Sequence, residues 1–260
     1  MDTLEASFSI LKNSSIWIYI LKGTAFTLVI SIMGIVIGVL LGSVLALVRN
    51  YCNTPKTIIF RWIATIYIEI FRNTPHLLWI FICLVFCPCP EIFSQKMLGL
   101  TSVETKLLFK AGVALVLVTS AAVAEIIRGG LNAIPEGQFE AGHSQGFHSV
   151  QIMIYIVLPQ AFKKVIPTLL SQVITTIKDS SYIANVATIE LMARVKKILS
   201  SANMYNGTGT INVSDVFVLF GLAAAIYFII NFSISCVVRG MQKQNKQADR
   251  AVLENINMEC

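Results

Sequence analysis

Long apolar runs separated by short polar connections dominate the chain, and the two cleanest, 24–48 and 216–238, contain no Asp, Glu, Lys or Arg. At about 1.5 Å of rise per residue, each exceeds the roughly 30 Å hydrocarbon core of a bilayer. Hydropathy predicts five spanning helices, over residues 17–48, 57–88, 107–129, 150–177 and 212–239. The second, third and fourth carry charges. In the first, Gly34, Gly38, Gly42 and Ala46 recur every four residues, so one face is bare of side chains and a neighbouring helix can approach it closely. No period of 20 to 50 residues repeats and no polar linker divides the chain, which predicts one all-α membrane domain.

Composition sharpens this picture. Of 260 residues, 55% are hydrophobic and only 13% charged, more apolar surface than one soluble core of that size uses. The net charge of +6 matters through its placement. Arg49, Lys56 and Arg61 fill the first connection, Arg128, Lys163 and Lys164 flank the third, and Arg239, Lys243, Lys246 and Arg250 follow the last run. The positive-inside rule makes these regions cytoplasmic, with the N-terminus outside and the C-terminus inside. Arg194, Lys196 and Lys197 oppose that scheme, in a 178–211 connection expected outside, and the apolar part of that connection is read as dipping back into the protein. Asp2 and Glu5 stand where a secretory signal carries basic residues, so the first run is expected to stay attached as a helix. Cys52, Cys83, Cys87, Cys89, Cys236 and Cys260 are scattered without zinc-like pairs and read as small buried hydrophobes, the Cys87-Pro88-Cys89 triplet being the one oddity.

The chemistry that is missing is informative too. No G-x-x-x-x-G-K-S/T phosphate loop occurs, and neither do H-E-x-x-H nor G-x-S-x-G, so the sequence argues against an ATPase, a membrane protease or a lipase. No cofactor or metal is expected. His76, His143 and His148 have no Cys or carboxylate at metal-ligand spacing and read as surface or packing residues. The basic tail suits anionic lipid, and nucleic-acid binding has no support.

The sharpest signal lies between the third and fourth runs. Pro135 and Glu136 suit a helix start and Gly146 a left-handed end, predicting a helix of about two turns. Too short to be stable alone, it needs flanking structure or a partner's groove to hold it. Glu140-Ala141-Gly142, then Gly146, then Ile156-Val157-Leu158-Pro159 resemble the Glu-Ala-Ala loop of ABC-importer permeases, with Gly142 for the second alanine and Gln145 where leucine is common. Residues 124–130, 134–138, 158–162, 178–181 and 69–75 look like the branch of that family that imports polar amino acids, the histidine/glutamine/arginine permease type. The likeness covers roughly 17–240.

That resemblance implies a type I importer fold of five transmembrane helices, with a short cytoplasmic coupling helix between the third and fourth, in a bacterial inner membrane. It also implies three domains: an extracytoplasmic 1–16, a transmembrane domain 17–240 with its coupling loop 134–149, and a cytoplasmic tail 241–260. Glu140, Ala141, Gly142 and Gly146 would dock on a separate ATP-binding subunit. A second permease copy or a homologous permease, an extracytoplasmic amino-acid-binding protein and membrane lipid complete the implied partners. A secondary transporter driven by an ion gradient is the alternative, although it predicts repeated halves that the sequence lacks.

Charges within the runs supply the candidate pathway. Glu69 and Arg72 share a helical face and can neutralise each other beside Pro75, or touch substrate. Glu125 and Arg128 share a face where their helix ends and read as a structural pair. Lys178, Asp179, Ser180 and Ser181 offer a cation, an anion and hydroxyls within four residues, the groups an amino acid's carboxylate and ammonium need. The resemblance implies a substrate-pathway role for them, against a helix cap for Asp179.

Overall fold

The computed structural model describes residues 3–96, 99–186 and 189–259; Met1, Asp2 and Cys260 lie outside the described residues. In chain order the helices are α1 (Thr3–Ile10), α2 (Ser14–Tyr51), α3 (Ile58–Arg72), α4 (His76–Phe86), α5 (Ser102–Asn132), α6 (Gly137–Ser144), α7 (Ser149–Gln151), α8 (Leu158–Asp179), α9 (Leu191–Ser200), α10 (Ala202–Tyr205) and α11 (Val213–Glu259). Among the described residues, four stretches are long and apolar enough to cross a membrane: α2, α5, the continuous run Ser149–Asn185, and Val213–Lys243 within α11. The second predicted span is broken. α3 and α4 meet at 113°, and the chain counts five spans if this bent pair is taken as one. Pro75 is the cause, since it sits in extended conformation as the residue before α4 and cannot continue a helical ladder.

Local chemistry sets several helix starts. The Asn13 side chain accepts from the Ser15 N–H at 3.0 Å to begin α2. Thr101 and Glu104 form a reciprocal capping box at the head of α5. Between α7 and α8, residues Ile152–Val157 are wound as a π-helix. The wider turn comes just before Pro159, which lacks an N–H and whose ring would strike the carbonyl of Tyr155 in a regular helix.

α2 lies along α5, and the glycine stripe is the reason. A methyl group built on Gly38 would stand 2.8 Å from the Thr119 side chain, and one on Gly42 would stand 2.7 Å from the Ser120 carbonyl oxygen. Ala46, Ile68, Val123, Ile127, Leu131, Ile134, Ile152, Val157 and Ala161 join α2, α3, α5 and the start of α8 in one buried cluster. A second cluster joins the middle of α2 to α4, the first half of α5 and Ile183 and Ile189. A third holds α1, the start of α2, α9, α10 and α11 together.

The connection after α8 is structured and folds back onto the bundle. Glu190 is fully buried and caps α9, accepting from the Met192 and Ala193 N–H groups at 2.9 and 2.5 Å, and Tyr227 of α11 donates to it at 3.2 Å. Burial pushes the Glu190 carboxyl above its ordinary range, and these donors pull against that rise. Arg194 is also buried, donating to the carbonyls of Ile189 and Tyr19 with its guanidinium 4.3 Å from the centre of the Tyr19 ring. Burial lowers its pKa. Arg194 is therefore a packed side chain and does not count as a loop charge. In the first turn of α11, Asp215 accepts from Ser7 at 2.6 Å and from Asn206 at 2.8 Å, which ties α1 to the bundle.

Gly42→Ala is expected to destabilise the folded protein by about 1–3 kcal/mol, because the obstructing atom is a backbone oxygen that cannot rotate away. Gly112→Ala, whose added methyl meets nothing within 4 Å, is the matched control. Thermal unfolding of the detergent-purified proteins compares the two, and equal midpoints would show that the α2–α5 contact is looser than described.

Candidate functional site

Two features carry the polar chemistry, the short helix α6 and the bend between α3 and α4. α6 runs Gly137–Ser144 with Glu136 before it, where the Pro135–Glu136 signal places a start. It ends in a Schellman motif: the Gly146 N–H reaches the His143 carbonyl at 2.9 Å and the Phe147 N–H reaches the Gly142 carbonyl at 3.1 Å. Gly146 has φ +82°, the left-handed conformation that its lack of a Cβ permits.

The underside of α6 is fixed to the bundle. Gly142 is buried, and a methyl there would stand 2.7 Å from Ile152 Cγ1 and 2.9 Å from its Cδ1, so Ile152 fills the space that an alanine would take. Phe139 packs against the cluster that joins α5 and α8. Gln160 donates to the Gln138 side chain at 3.0 Å, and Lys164 donates to the Ala133 carbonyl at 2.9 Å. The outer side is open, with Glu140, Ala141, His143, Ser144 and Gln145 all exposed. Val150 and Tyr155 extend this face with large exposed apolar surface.

At the bend, Arg72, Asn73, Thr74, His76, Asp179 and Tyr182 line a pocket of about 550 Å³. His76 Nδ1 lies 3.0 Å from Asp179 Oδ2, and the His76 ring meets the Tyr182 ring edge-on. Trp79 donates to Thr74 Oγ1, which in turn donates to the Ile70 carbonyl, each at 2.6 Å, so the hydroxyl is committed to holding the bend. The four consecutive candidates 178–181 separate because a helix turns about 100° per residue. Asp179 faces the pocket, Lys178 is exposed, Ser180 is buried and donates to the Ile177 carbonyl at 2.7 Å, and Ser181 is half-buried. Asp179 makes no side-chain cap on the turn that follows it.

Glu69 and Arg72 do not neutralise each other. Arg49 from α2 donates to Glu69 Oε1 at 3.0 Å and to Glu125 Oε2 at 2.9 Å, while Arg72 reaches Glu125 at 3.8 Å. Glu125 also pairs with Arg128, as their spacing predicts. The correction has a geometric cause: one guanidinium offers five N–H donors in a flat fork and can serve two carboxylates from different helices, so α2 takes the pairing that α3 was expected to keep within itself. Arg49 was legible only as a topology charge. His76, which reads as a surface or packing residue in the sequence, is half-buried and packs against Asp179 and Tyr182. Its only sequence signal is adjacency to Pro75, which makes it the first residue of a restarted helix and so a residue at a bend.

The family described as binding-protein-dependent transport system inner membrane component matches residues 34–246. The chain is 31% identical over 231 residues to the arginine transport system permease protein ArtQ of Bacillus subtilis, covering 89% of this chain and 94% of that one. It is 32% identical over 233 residues to the glutamate/aspartate import permease protein GltK of Escherichia coli, covering 87% and 93%. Among solved structures, the crystal structure of an amino acid ABC transporter with histidines matches with a TM-score of 0.70 at 26% identity, over 91% of this chain and 97% of that chain.

Removing Arg49 leaves Glu69 without its inter-helix partner and Glu125 with less compensation. Arg49→Gln is expected to lower stability by about 1–3 kcal/mol, between the values for exposed and buried pairs. Arg49→Lys should recover only part of it, because an ammonium lacks the fork that reaches both carboxylates. Unfolding midpoints of the three proteins decide the matter, and full recovery by lysine would show that charge alone suffices.

Proposed function

Because the chain belongs to the family of binding-protein-dependent transport system inner membrane components, among the permeases of ABC amino-acid transporters, we propose that it translocates polar amino acids as the membrane subunit of an ATP-driven importer. The observation that carries the reading is α6. A two-turn helix fixed on its underside between two long helices, and exposed on its other side, has the form of a handle that a partner's groove can take. In this reading Glu140 and Ala141 meet a separate ATP-binding subunit, Gly142 seats the helix on Ile152, and Gly146 sets its exit. ATP drives the membrane helices only to the extent that two conformations of that subunit grip α6 differently. The comparisons lend the ion-gradient alternative no support.

The pocket at the α3–α4 bend is the proposed substrate pathway. Asp179 offers an anion for a substrate ammonium and Arg72 a cation for its carboxylate, across one cavity. Glu69 then acts through the Arg49 network, Lys178 stays an exposed cation beside Asp179, outside the pocket lining, and Ser180 and Ser181 belong to the supporting turn. The domain scheme of an extracytoplasmic 1–16, a transmembrane 17–240 with coupling loop 134–149 and a cytoplasmic tail 241–260 accompanies this proposal. So does an orientation with the N-terminus outside. Burial of Arg194 supports that orientation, since it removes one of the three charges that opposed it. The proposed assembly adds a second permease copy or a homologue and an extracytoplasmic binding protein.

Gly146→Val places a β-branched residue at φ +82° and is expected to cut ATP-dependent uptake in vesicles by about ten-fold or more while the chain still inserts in the membrane. Normal uptake by that variant would remove the docking role from α6. Asp179→Ala is expected to reduce uptake of labelled arginine, glutamine or histidine while the assembled complex is recovered in normal yield. Wild-type uptake kinetics would take Asp179 out of the pathway.

A further inference from the structure

Beside the Arg49 network, where α2 ends and α3 begins, a second pocket of about 300 Å³ is lined by Arg49, Ile58, Arg61, Trp62 and Thr65. Its charge is not balanced. In the adjoining network Arg49, Arg72 and Arg128 share two glutamates, Glu69 and Glu125, and Arg61 adds a further cation to the pocket lining without a carboxylate partner. Arg61 donates to the Asn53 side chain, a neutral partner, and Arg49 gives one N–H to each glutamate, so both guanidinia keep further donors. The Thr65 hydroxyl completes a set of donors suited to an anion's oxygens.

The flank of this pocket is apolar and outward. Ile59, Trp62, Ile63, Ile66 and Ile70 fall at helical spacing along α3 and are all exposed, Trp62 by 62%. The pocket is at the small end for a ligand site and has room for a headgroup, not for acyl chains. The chains have the exposed stripe to lie on, and an indole beside basic side chains is the arrangement found at membrane interfaces.

We infer that this pocket binds the phosphate of an anionic phospholipid, with Arg61 and Arg49 as its cationic ligands and the α3 stripe carrying the acyl chains. The charge excess commits the face to an anion, which a second copy of the chain, presenting the same arginines, does not supply.

The test is native mass spectrometry of the assembled, delipidated transporter exposed to equal amounts of phosphatidylglycerol and phosphatidylcholine with matched chains. The wild type is expected to retain phosphatidylglycerol preferentially, and Arg61→Gln to reduce that preference roughly five-fold, the worth of one basic residue near an anionic surface. Arg61 is exposed, so this variant is expected to assemble. If it does not, the headgroup comparison on the wild type still decides. Equal retention of the two lipids overturns the inference and assigns the stripe to an apolar partner such as a second copy. A preference unchanged in Arg61→Gln also overturns it. A third arm adds inorganic phosphate without lipid: stabilisation equal to that given by phosphatidylglycerol would show a soluble anion site and overturn the lipid assignment.

Discussion

The distance between α2 and α5 is the constraint from which the rest of the architecture follows. Gly38 and Gly42 present no side chain, so α2 rests directly on the backbone and β-branched side chains of α5 around Thr119, Ser120 and Val123. In lipid there is no hydrophobic force between helices, and association depends on such close packing. The approach also fixes the reach of Arg49, seven residues beyond Gly42, to Glu125 of α5 and Glu69 of α3. A chain of small residues thereby becomes an electrostatic junction of three helices, and α3 is held where its end, and the bend that follows, can face the end of α8.

What the sequence made legible is local. The apolar runs, the glycine stripe, the Pro135–Glu136 start of α6 and its left-handed end are each written in residues a few positions apart, and the helix emerges where Pro135, Glu136 and Gly146 place it. The pairing of Glu69 is not local. Glu69 and Arg72 satisfy the spacing rule for a helical pair, yet Arg49 from another helix competes for Glu69, and no local pattern announces that competition. Arg194 shows the same limit from the other side: a basic residue in a polar connection looks solvated, but the fold returns α9 to the base of α2, where Tyr19 supplies both a carbonyl and a ring.

The candidate pocket shows how a break can be worth more than a continuous span. A straight helix over 57–88 would place 72–76 along a lipid-facing or packed surface, with the polar groups of Asn73 and Thr74 bonded along the rod. Pro75 stops it, the chain turns by 113°, and Arg72, His76 and Asp179 come to line one cavity. Irregular backbone at membrane depth persists where it faces a polar cavity and its groups find partners. Here Asn73 donates to the Glu69 carbonyl and Thr74 to that of Ile70, so the broken turn closes on itself while Arg72, His76 and Asp179 line the pocket.

The construction of α6 explains why so short a helix can act as a lever in the proposed coupling. Eight residues cannot hold a helix by propensity alone. Here the Schellman end satisfies the last carbonyls, and Gly142 and Phe139 bind the underside to residues of α5, the π-turn and α8. The side that is fixed and the side that is exposed are therefore different faces of one rigid unit. A force on Glu140 and Ala141 meets no soft joint before it reaches Ile152. From there it enters a segment whose ladder has already been loosened ahead of Pro159, where an extra residue per turn can be gained or lost with small displacement of the long helix beyond. In the proposed coupling, a stiff handle followed by a compliant turn would convert a change of grip into a tilt of α8, at whose far end Asp179 stands.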